Sequence, residues 1–492
     1  MPRGLAVIKS VLLALLLALV FTADVAAQTS NVTIEVIPQL TTVRIERTGE
    51  SGTSWSFGDS YGNLVGLGSR IKNFEAFDAG GKRVSVRALA PGQFASALPA
   101  SRVRYEANIV APSRSTNAAL VSWLNAEHGI LRLSDLLPLP VVSRAAVNGS
   151  AVNVRLRVPE GWGGYCDEEV TALGSFRFLD IDSAVFVVGK NVRRSVRNVS
   201  PNLFKLLTDE AWVFSDDEAV DTVAKIIKLH NEVGSVPCVQ VTLALLPFPG
   251  MAANSWSAET RGCTVTLLMG KLPSKTAALA QLGNALTHEL FHLWIPNGVA
   301  LTGDYDWFYE GFTMYQAARA AVRLGYVSFP EFLNAIARAH DGSASPTQLS
   351  LIEASKQRWT VGAPSVYSKA MVVAFLYDLN LRYQSKGKLS LNDAYRRIMR
   401  ENARGSAANK TEADGNAVLI PALRSDALST DLIERFVSGP QSIDLRKELA
   451  PFGLRVDQLV RTHISVDDHL TGQQRDLLKQ LGYNEPRRRN AD

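Results

Sequence analysis

Residues 282–294 read LGNALTHELFHLW, and within them His288, Glu289 and His292 form the pattern H-E-x-x-H. The apolar residues around the motif recur with helical period, which predicts a helix over 275–294. On a helix, a four-residue spacing stacks the two imidazoles on one face. Two neutral imidazole nitrogens suit zinc, and the glutamate one residue round is placed to take a proton from a water at the metal. A catalytic site of this kind needs a third protein ligand and an open fourth position.

Glu310 is the candidate for that ligand. Seventeen residues separate it from His292, and it lies in WFYEGFTMYQAARAAV (307–322), a predicted helix that follows the turn-rich PNGVALTGDYD at 296–306. Taken alone, an acidic residue near a helix start is ordinary, because it is favoured by the helix dipole. Beside an H-E-x-x-H motif it reads as the carboxylate of a His, His, Glu donor set.

Working outward, further helices are predicted over 217–232, 307–324, 329–340, 365–383 and 391–401, with two apolar strands, VQVTLALL (239–246) and TVTLLM (264–269), ahead of the motif. Upstream the signature changes. VTIEVI, TVRIERT, RVSVRAL, RVRYEANIV, AVNVRLRV and AVFVV are short alternating runs separated by Gly, Pro, Ser and Asn, the pattern of an all-β sandwich or barrel. The expected fold class is α+β and multidomain: an N-terminal β-sandwich-like domain over 28–195, a mixed and then mainly α-helical catalytic domain over 196–455, and a C-terminal extension over 456–492. The stretch GSAANKTEADGN (405–416) reads as a surface loop.

The 492 residues are 46% hydrophobic and 20% charged, ordinary values for a globular chain too long for one core. Residues 1–27 place Arg3 and Lys9 before an apolar run over 11–21 and end on Val25-Ala26-Ala27, which reads as a cleaved signal peptide. The run is shorter than the roughly 20 apolar residues of a spanning helix, so no stable membrane insertion is expected after cleavage, and the protein is expected in a periplasm or secreted. The net charge of +5 carries no nucleic-acid footprint; the one dense basic run, Arg487-Arg488-Arg489, lacks interleaved aromatics. The expected partner is a peptide or protein substrate. Export makes one disulfide plausible among Cys166, Cys238 and Cys263, with Cys238–Cys263 favoured because each lies beside a strand-like run; three buried thiols are the alternative.

HELFHLW followed by WFYEGFTMY resembles the gluzincin zinc metallopeptidases, in which H-E-x-x-H precedes a helix carrying E-G-F. The interval to Glu310 is one residue shorter than in the aminopeptidase N family. VYSKAMVVAFLYDLNLRYQSKGKLSLNDAYRRIM (366–399), LIERFVSGPQSIDLRKELAPFGL (432–454), NFEAFDAGGKRVSVRAL (73–89), VRYEANIVAP (103–112) and VPEGWG (158–163) instead resemble segments of the glycyl aminopeptidase family. The resemblance implies a thermolysin-like catalytic domain, one Zn2+ per chain on His288, His292 and Glu310, and Glu289 as general base to a metal-activated water. It also implies Tyr367 as donor to the oxyanion of the tetrahedral intermediate, although Ala370 stands where that family has Gly.

The implied activity is that of an aminopeptidase removing small N-terminal residues, Gly or Ala. Two departures keep alternatives open. In these families a Gly-x-Met-Glu-Asn or Gly-Gly-Leu-Glu turn supplies a carboxylate for the substrate's free amine, whereas the matching turn here is PFPGMAANSW (247–256), with Ala252 at the acidic position. Asn254 and Glu259 are the possible substitutes. An endopeptidase without a free-amine requirement and a catalytically degenerate peptide-binding protein are the alternatives. Only 38 residues follow Leu454, too few for the PDZ domain that family members commonly append. His128, His230, His340, His463 and His469 show no ligand spacing and read as surface or core histidines.

Overall fold

The computed structural model describes residues 30–138, 151–199, 202–209, 212–344, 347–404, 412–424, 427–458 and 460–484. The segment read as a signal peptide and the Arg487–Arg489 run lie outside these residues. Among the described residues no helix is long and apolar enough to cross a membrane.

The alternating runs of the N-terminal part form an eight-stranded sheet and a four-stranded sheet. In the larger one, Thr42–Ser56 pairs antiparallel with Ser30–Ile37 on one side and with Gln93–Asn108 on the other. The period-2 pattern sends Val32, Ile34, Val36, Val43 and Ile45 inward, where they share one core with Leu131, Phe186 and Val188 of the smaller sheet. Two sheets closing over a common apolar layer give the sandwich-like arrangement expected from the alternation.

The second part opens with a five-stranded sheet in the order Arg193–Val199, Asn202–Thr208, Gln240–Pro247, Thr264–Met269, Trp256–Arg261. The three middle strands are parallel, and Trp256–Arg261 runs antiparallel as the edge. Gln240–Pro247 and Thr264–Met269 are apolar almost throughout because both faces are covered. Val241, Leu243, Leu245, Val265 and Leu267 face the helices, while Ala244, Leu246 and Leu268 face Trp123, Val185 and Val187 of the N-terminal part. The edge strand therefore lies where the two parts meet.

Helices follow at the expected places: Asp216–His230, Lys275–Glu289, Thr313–Arg323, Phe329–Gly342, Ala370–Gln384 and Leu391–Asn402. Ser215 and Ser328 start theirs with capping boxes to Glu218 and Glu331. The junction expected at 195–196 falls inside the strand Arg193–Val199, and Ile464, Leu477, Leu478 and Leu481 of the C-terminal extension pack into the helical core. Of the 405–416 stretch, residues 405–411 lie outside the described residues; Ala413–Asp414 pairs with Leu301–Thr302, and a helix starts at Gly415. Cys238 and Cys263 form a disulfide, and Cys166 is a buried thiol. The bridge ties the starts of two adjacent parallel strands, so of the two sequence alternatives the paired one holds.

Candidate metal centre and its surroundings

The helix Lys275–Glu289 carries His288, and the chain then tightens into a 3-10 turn, Leu290–Leu293, that carries His292. Leu282, Ala285, Leu286, Leu290 and Leu293 are fully buried along this element and anchor it in the core. The two imidazoles meet with 3.1 Å between their Nε2 atoms. Glu310 Oε2 lies 3.6 Å from His288 Nε2 and 3.8 Å from His292 Nε2. Among the described residues this is the one group of three or more His, Cys, Asp or Glu side chains able to hold a metal ion, with one ligand atom from each within 4.8 Å of the others.

The donor chemistry fits a divalent cation. His292 Nδ1 lies 3.1 Å from the carbonyl of Ile295, which fixes the N–H on that nitrogen and turns the Nε2 lone pair into the cluster. Burial lowers the His292 pKa to about 4, so the ring is neutral, as a ligand must be. Burial alone would protonate Glu310, but the hydrogen bond to His288 and the charges of Arg358 and His292 hold its carboxyl down at about 2. His288 moves the other way. Burial opposes its charge, yet its hydrogen bond with Glu310 and the negative Glu289 outweigh that and raise its pKa, so the cluster favours positive charge where the three ligands converge.

Glu289, one residue round the helix from His288, is buried and stands apart from the ligand set. Thr260 Oγ1, on the edge strand, lies 2.8 Å from Glu289 Oε2 and 3.0 Å from its backbone carbonyl. Burial pushes the Glu289 carboxyl up to about 7, partly offset by His288 and Thr260. A carboxyl held near neutrality is suited to accept and return a proton.

Glu310 sits not in a regular α-helix but in a π-helical turn, Trp307–Phe312, and Tyr367 sits in a second one, Pro364–Lys369. Such turns add a residue to the helical repeat and recur at functional sites. The two meet at Gly311, where a Cβ would lie 2.3 Å from Ala370 Cβ and 2.6 Å from the carbonyl oxygen of Val366. Gly311 thus provides the close approach here, while position 370 tolerates the alanine.

Tyr367 is brought to the metal cluster through Arg358, a residue with no motif spacing in the sequence. Its Nε donates to the Tyr367 hydroxyl oxygen at 2.9 Å and its Nη2 to Glu310 Oε1 at 2.7 Å. Its Nη1 donates to Asp306 Oδ1 at 2.9 Å and to the Tyr309 hydroxyl at 2.8 Å. Glu310 therefore spends one oxygen on Arg358 and turns the other to the histidines. Burial raises the Tyr367 pKa and keeps the phenol protonated. Thr260, Asp306 and Tyr309 also escaped the sequence reading, since each joins the site only through tertiary contact.

Ala252 and Asn254 are exposed in the turn before the edge strand, with Ser255 N–H closing that turn on the Ala252 carbonyl at 2.9 Å. Glu259 shares the parity of Ser257 and Arg261, so its side chain leaves the edge strand on the face toward the N-terminal part, opposite to Thr260. Its Oε1 accepts from the Tyr61 hydroxyl at 2.5 Å and from Arg261 Nε at 3.1 Å, while no donor among the described residues reaches its Oε2. Tyr61 belongs to an N-terminal hairpin, 60–65, whose Gly62 packs against Trp359, the neighbour of Arg358. One hairpin thus touches both the edge strand and the Arg358 segment. The other histidines stay outside the cluster; His128 and His230 are buried with Nε2 at 3.1 Å and 3.0 Å from the carbonyls of Pro247 and Thr287.

No family model matches this chain, and no curated protein matches it. Solved structures do. An aminopeptidase N family protein from Idiomarina loihiensis aligns with TM-score 0.69 at 16% identity, over 88% of this chain and 80% of that one. An M1 zinc metallopeptidase from Deinococcus radiodurans aligns with TM-score 0.54 at 14% identity, over 85% of this chain and 95% of that one. A mutant of that enzyme bound to a Tyr-Ser-Ala substrate aligns with TM-score 0.54 at 13% identity over the same shares. At these identities the likeness is one of fold: the chain has the architecture of these metallopeptidases, a β-rich N-terminal part followed by a mixed and then helical part.

Proposed function

We propose that this chain is a zinc-dependent peptidase, and within that class an aminopeptidase that removes small N-terminal residues such as Gly or Ala. The observation that carries the reading is the buried convergence of His288, His292 and Glu310, with a separate carboxylate, Glu289, beside them. His288, His292 and Glu310 would hold one zinc ion per chain, which when bound supplies Lewis-acid polarisation of the scissile carbonyl and acidifies the attacking water. Glu289, held by Thr260, takes the proton of that water and returns one to the leaving amine. Tyr367 donates its O–H to the oxygen on which negative charge develops, since its own oxygen already accepts from Arg358. The names and the bound peptide of the structural neighbours support the class; the finer likeness to glycyl aminopeptidases rests on the sequence segments alone.

Specificity for a free N-terminus is supported by Glu259 and the 60–65 hairpin. With Ala252 in the usual acidic place, Glu259 is the carboxylate that the edge strand offers, held by Tyr61 and Arg261 on the side of the N-terminal part with one oxygen left for a substrate ammonium that approaches from there. The exposed, uncharged turn at Ala252 favours the second reading, an endopeptidase. Export to a periplasm or beyond the cell is part of the proposal, supported by the composition of residues 1–27 and by the Cys238–Cys263 bridge.

Two measurements test the reading. Glu289→Gln should retain stoichiometric zinc and lose hydrolysis by about 10³-fold or more; surviving activity removes Glu289 from its role. A free peptide should be cut at least about 100-fold faster than its N-acetylated form, and equal rates would establish the endopeptidase instead. Purified protein unable to take up zinc would mark a degenerate binding protein.

A further inference from the structure

Away from the metal cluster, Lys369 is a buried amine whose surroundings offer it nothing. It is 6% exposed, and no carboxylate, carbonyl or hydroxyl among the described residues accepts a hydrogen bond from its Nζ. Burial alone lowers its pKa, to about 8, with no neighbouring charge acting on it. The other buried lysine among the described residues, Lys205, is treated differently: its Nζ donates to the Asp167 carbonyl at 2.5 Å and to Glu169 Oε1 at 3.0 Å. An ammonium withdrawn from water without such partners is costly, and a chain that buries one normally supplies a counter-charge.

Lys369 lines a cavity of about 190 Å³ together with Ser365, His340, Ser343, Ser442 and Ile443. Ser365 is buried too, and its hydroxyl has no hydrogen-bond partner among the described residues. Two other polar groups of the wall are committed, while Thr347, Gln348 and Ser442 also line it. Ser343 Oγ donates to the His340 carbonyl at 2.6 Å, and the His340 ring nitrogens lie 3.3 Å from Thr462 Oγ1 and 3.2 Å from the Ile443 carbonyl. The wall thus carries an ammonium and a hydroxyl four residues apart on one helical turn, beside the Gln348 amide and the Thr347 and Ser442 side chains, and no carboxylate.

We propose that this cavity binds one small monovalent anion, of halide or formate size, between the Lys369 ammonium and the Ser365 hydroxyl. One cation matches one negative charge, whereas a phosphate dianion would bury an uncompensated charge. The anion restores to Lys369 the counter-charge that the fold omits. Because Lys369 shares its π-helical turn with Tyr367, an occupied cavity also braces the turn that carries the oxyanion donor.

The test uses the zinc-loaded full chain. Crystals grown in bromide should show an anomalous bromine peak beside Lys369 Nζ. Thermal midpoints at matched ionic strength should be about 1–3 °C higher in bromide or chloride than in gluconate, which is too large for the cavity. Formate in place of bromide separates a halide site from a carboxylate site. Lys369→Met should abolish both the peak and the anion-specific shift, while any halide at the metal appears elsewhere in the map and persists in the variant. A map with only ordered water at Lys369, or a midpoint shift retained in K369M, overturns the proposal. Should K369M not fold, the wild-type bromide map decides alone.

Discussion

Arg358 holds Tyr367, Glu310, Asp306 and Tyr309 with one guanidinium, and its geometry dictates what two of them can do. By donating to the phenol oxygen it leaves the Tyr367 O–H free to donate, as the proposed oxyanion role requires. By occupying Glu310 Oε1 it leaves one carboxylate oxygen for the histidines. The side chain is only 14% exposed, with Asp306 and Glu310 equally sheltered, so its removal would strand two carboxylates. A lysine keeps the charge but not the planar fork. Arg358→Lys should therefore weaken zinc binding by about 10–100-fold, read by competition with a chelator, and lower kcat as well. Tyr367→Phe should leave zinc affinity unchanged and lower kcat by about 10²–10³-fold; unchanged kcat would remove Tyr367 from the reaction. His288 and His292 were legible in the sequence because a helix converts fixed spacing into a fixed face, Glu289 because it lies inside that motif, and Glu310 only because the segment around it resembles a known pattern. Arg358 was not, because it reaches the site from a separate segment whose approach only the folded chain defines.

At the scale of elements, the site depends on two π-helical turns pressed together at Gly311. Periodicity located the helices that contain them, 307–324 and 365–383, but one extra residue per turn is too small a change to register in a hydrophobic pattern. A different limit, short length, hid Gly415–Leu423, Ala427–Ile433 and Leu445–Leu449, helices of nine residues or fewer. A side chain at 311 would meet both a methyl and a backbone carbonyl, and only the methyl can be removed by mutation. Gly311→Ala should destabilise the fold by about 1–3 kcal/mol and, by parting Glu310 from Tyr367, reduce zinc affinity and turnover together. Adding Ala370→Gly should recover part of the loss, because the two positions touch. Full additivity of the two changes in thermal unfolding would show that the turns do not pack as described. The disulfide acts on a neighbouring element: replacing Cys238 and Cys263 by Ser should cost about 2–4 kcal/mol, measured by urea unfolding.

In the whole molecule the N-terminal β-rich part is more than an appendage to a catalytic sheet. Ser257 Oγ, on the edge strand, donates to the Thr116 carbonyl at 2.9 Å, and Arg261 Nη1 donates to Ser134 Oγ at 2.8 Å, so alternate side chains of that strand are fastened to the N-terminal part. Thr260 points the other way, to Glu289. The alternating runs revealed the β module, but not that it grips this strand, because inter-module contact has no period. The 60–65 hairpin completes the arrangement. Tyr61 binds Glu259 and stacks under Arg261, whose guanidinium carbon is 4.3 Å from the ring centroid, while Gly62 reaches Leu120 and Trp359. The hairpin thus bridges the edge strand and the Arg358 segment, one residue from Thr260 on one side and one from Arg358 on the other, and on the proposed aminopeptidase reading it closes that end of the substrate groove. Replacing residues 60–65 by a shorter glycine-containing turn should open that end. Cleavage of N-acetylated peptides should then rise by about tenfold or more relative to free ones, with zinc content and Glu289 dependence preserved. An unchanged ratio in a folded, zinc-loaded variant would show that the hairpin supports the edge strand without limiting the substrate.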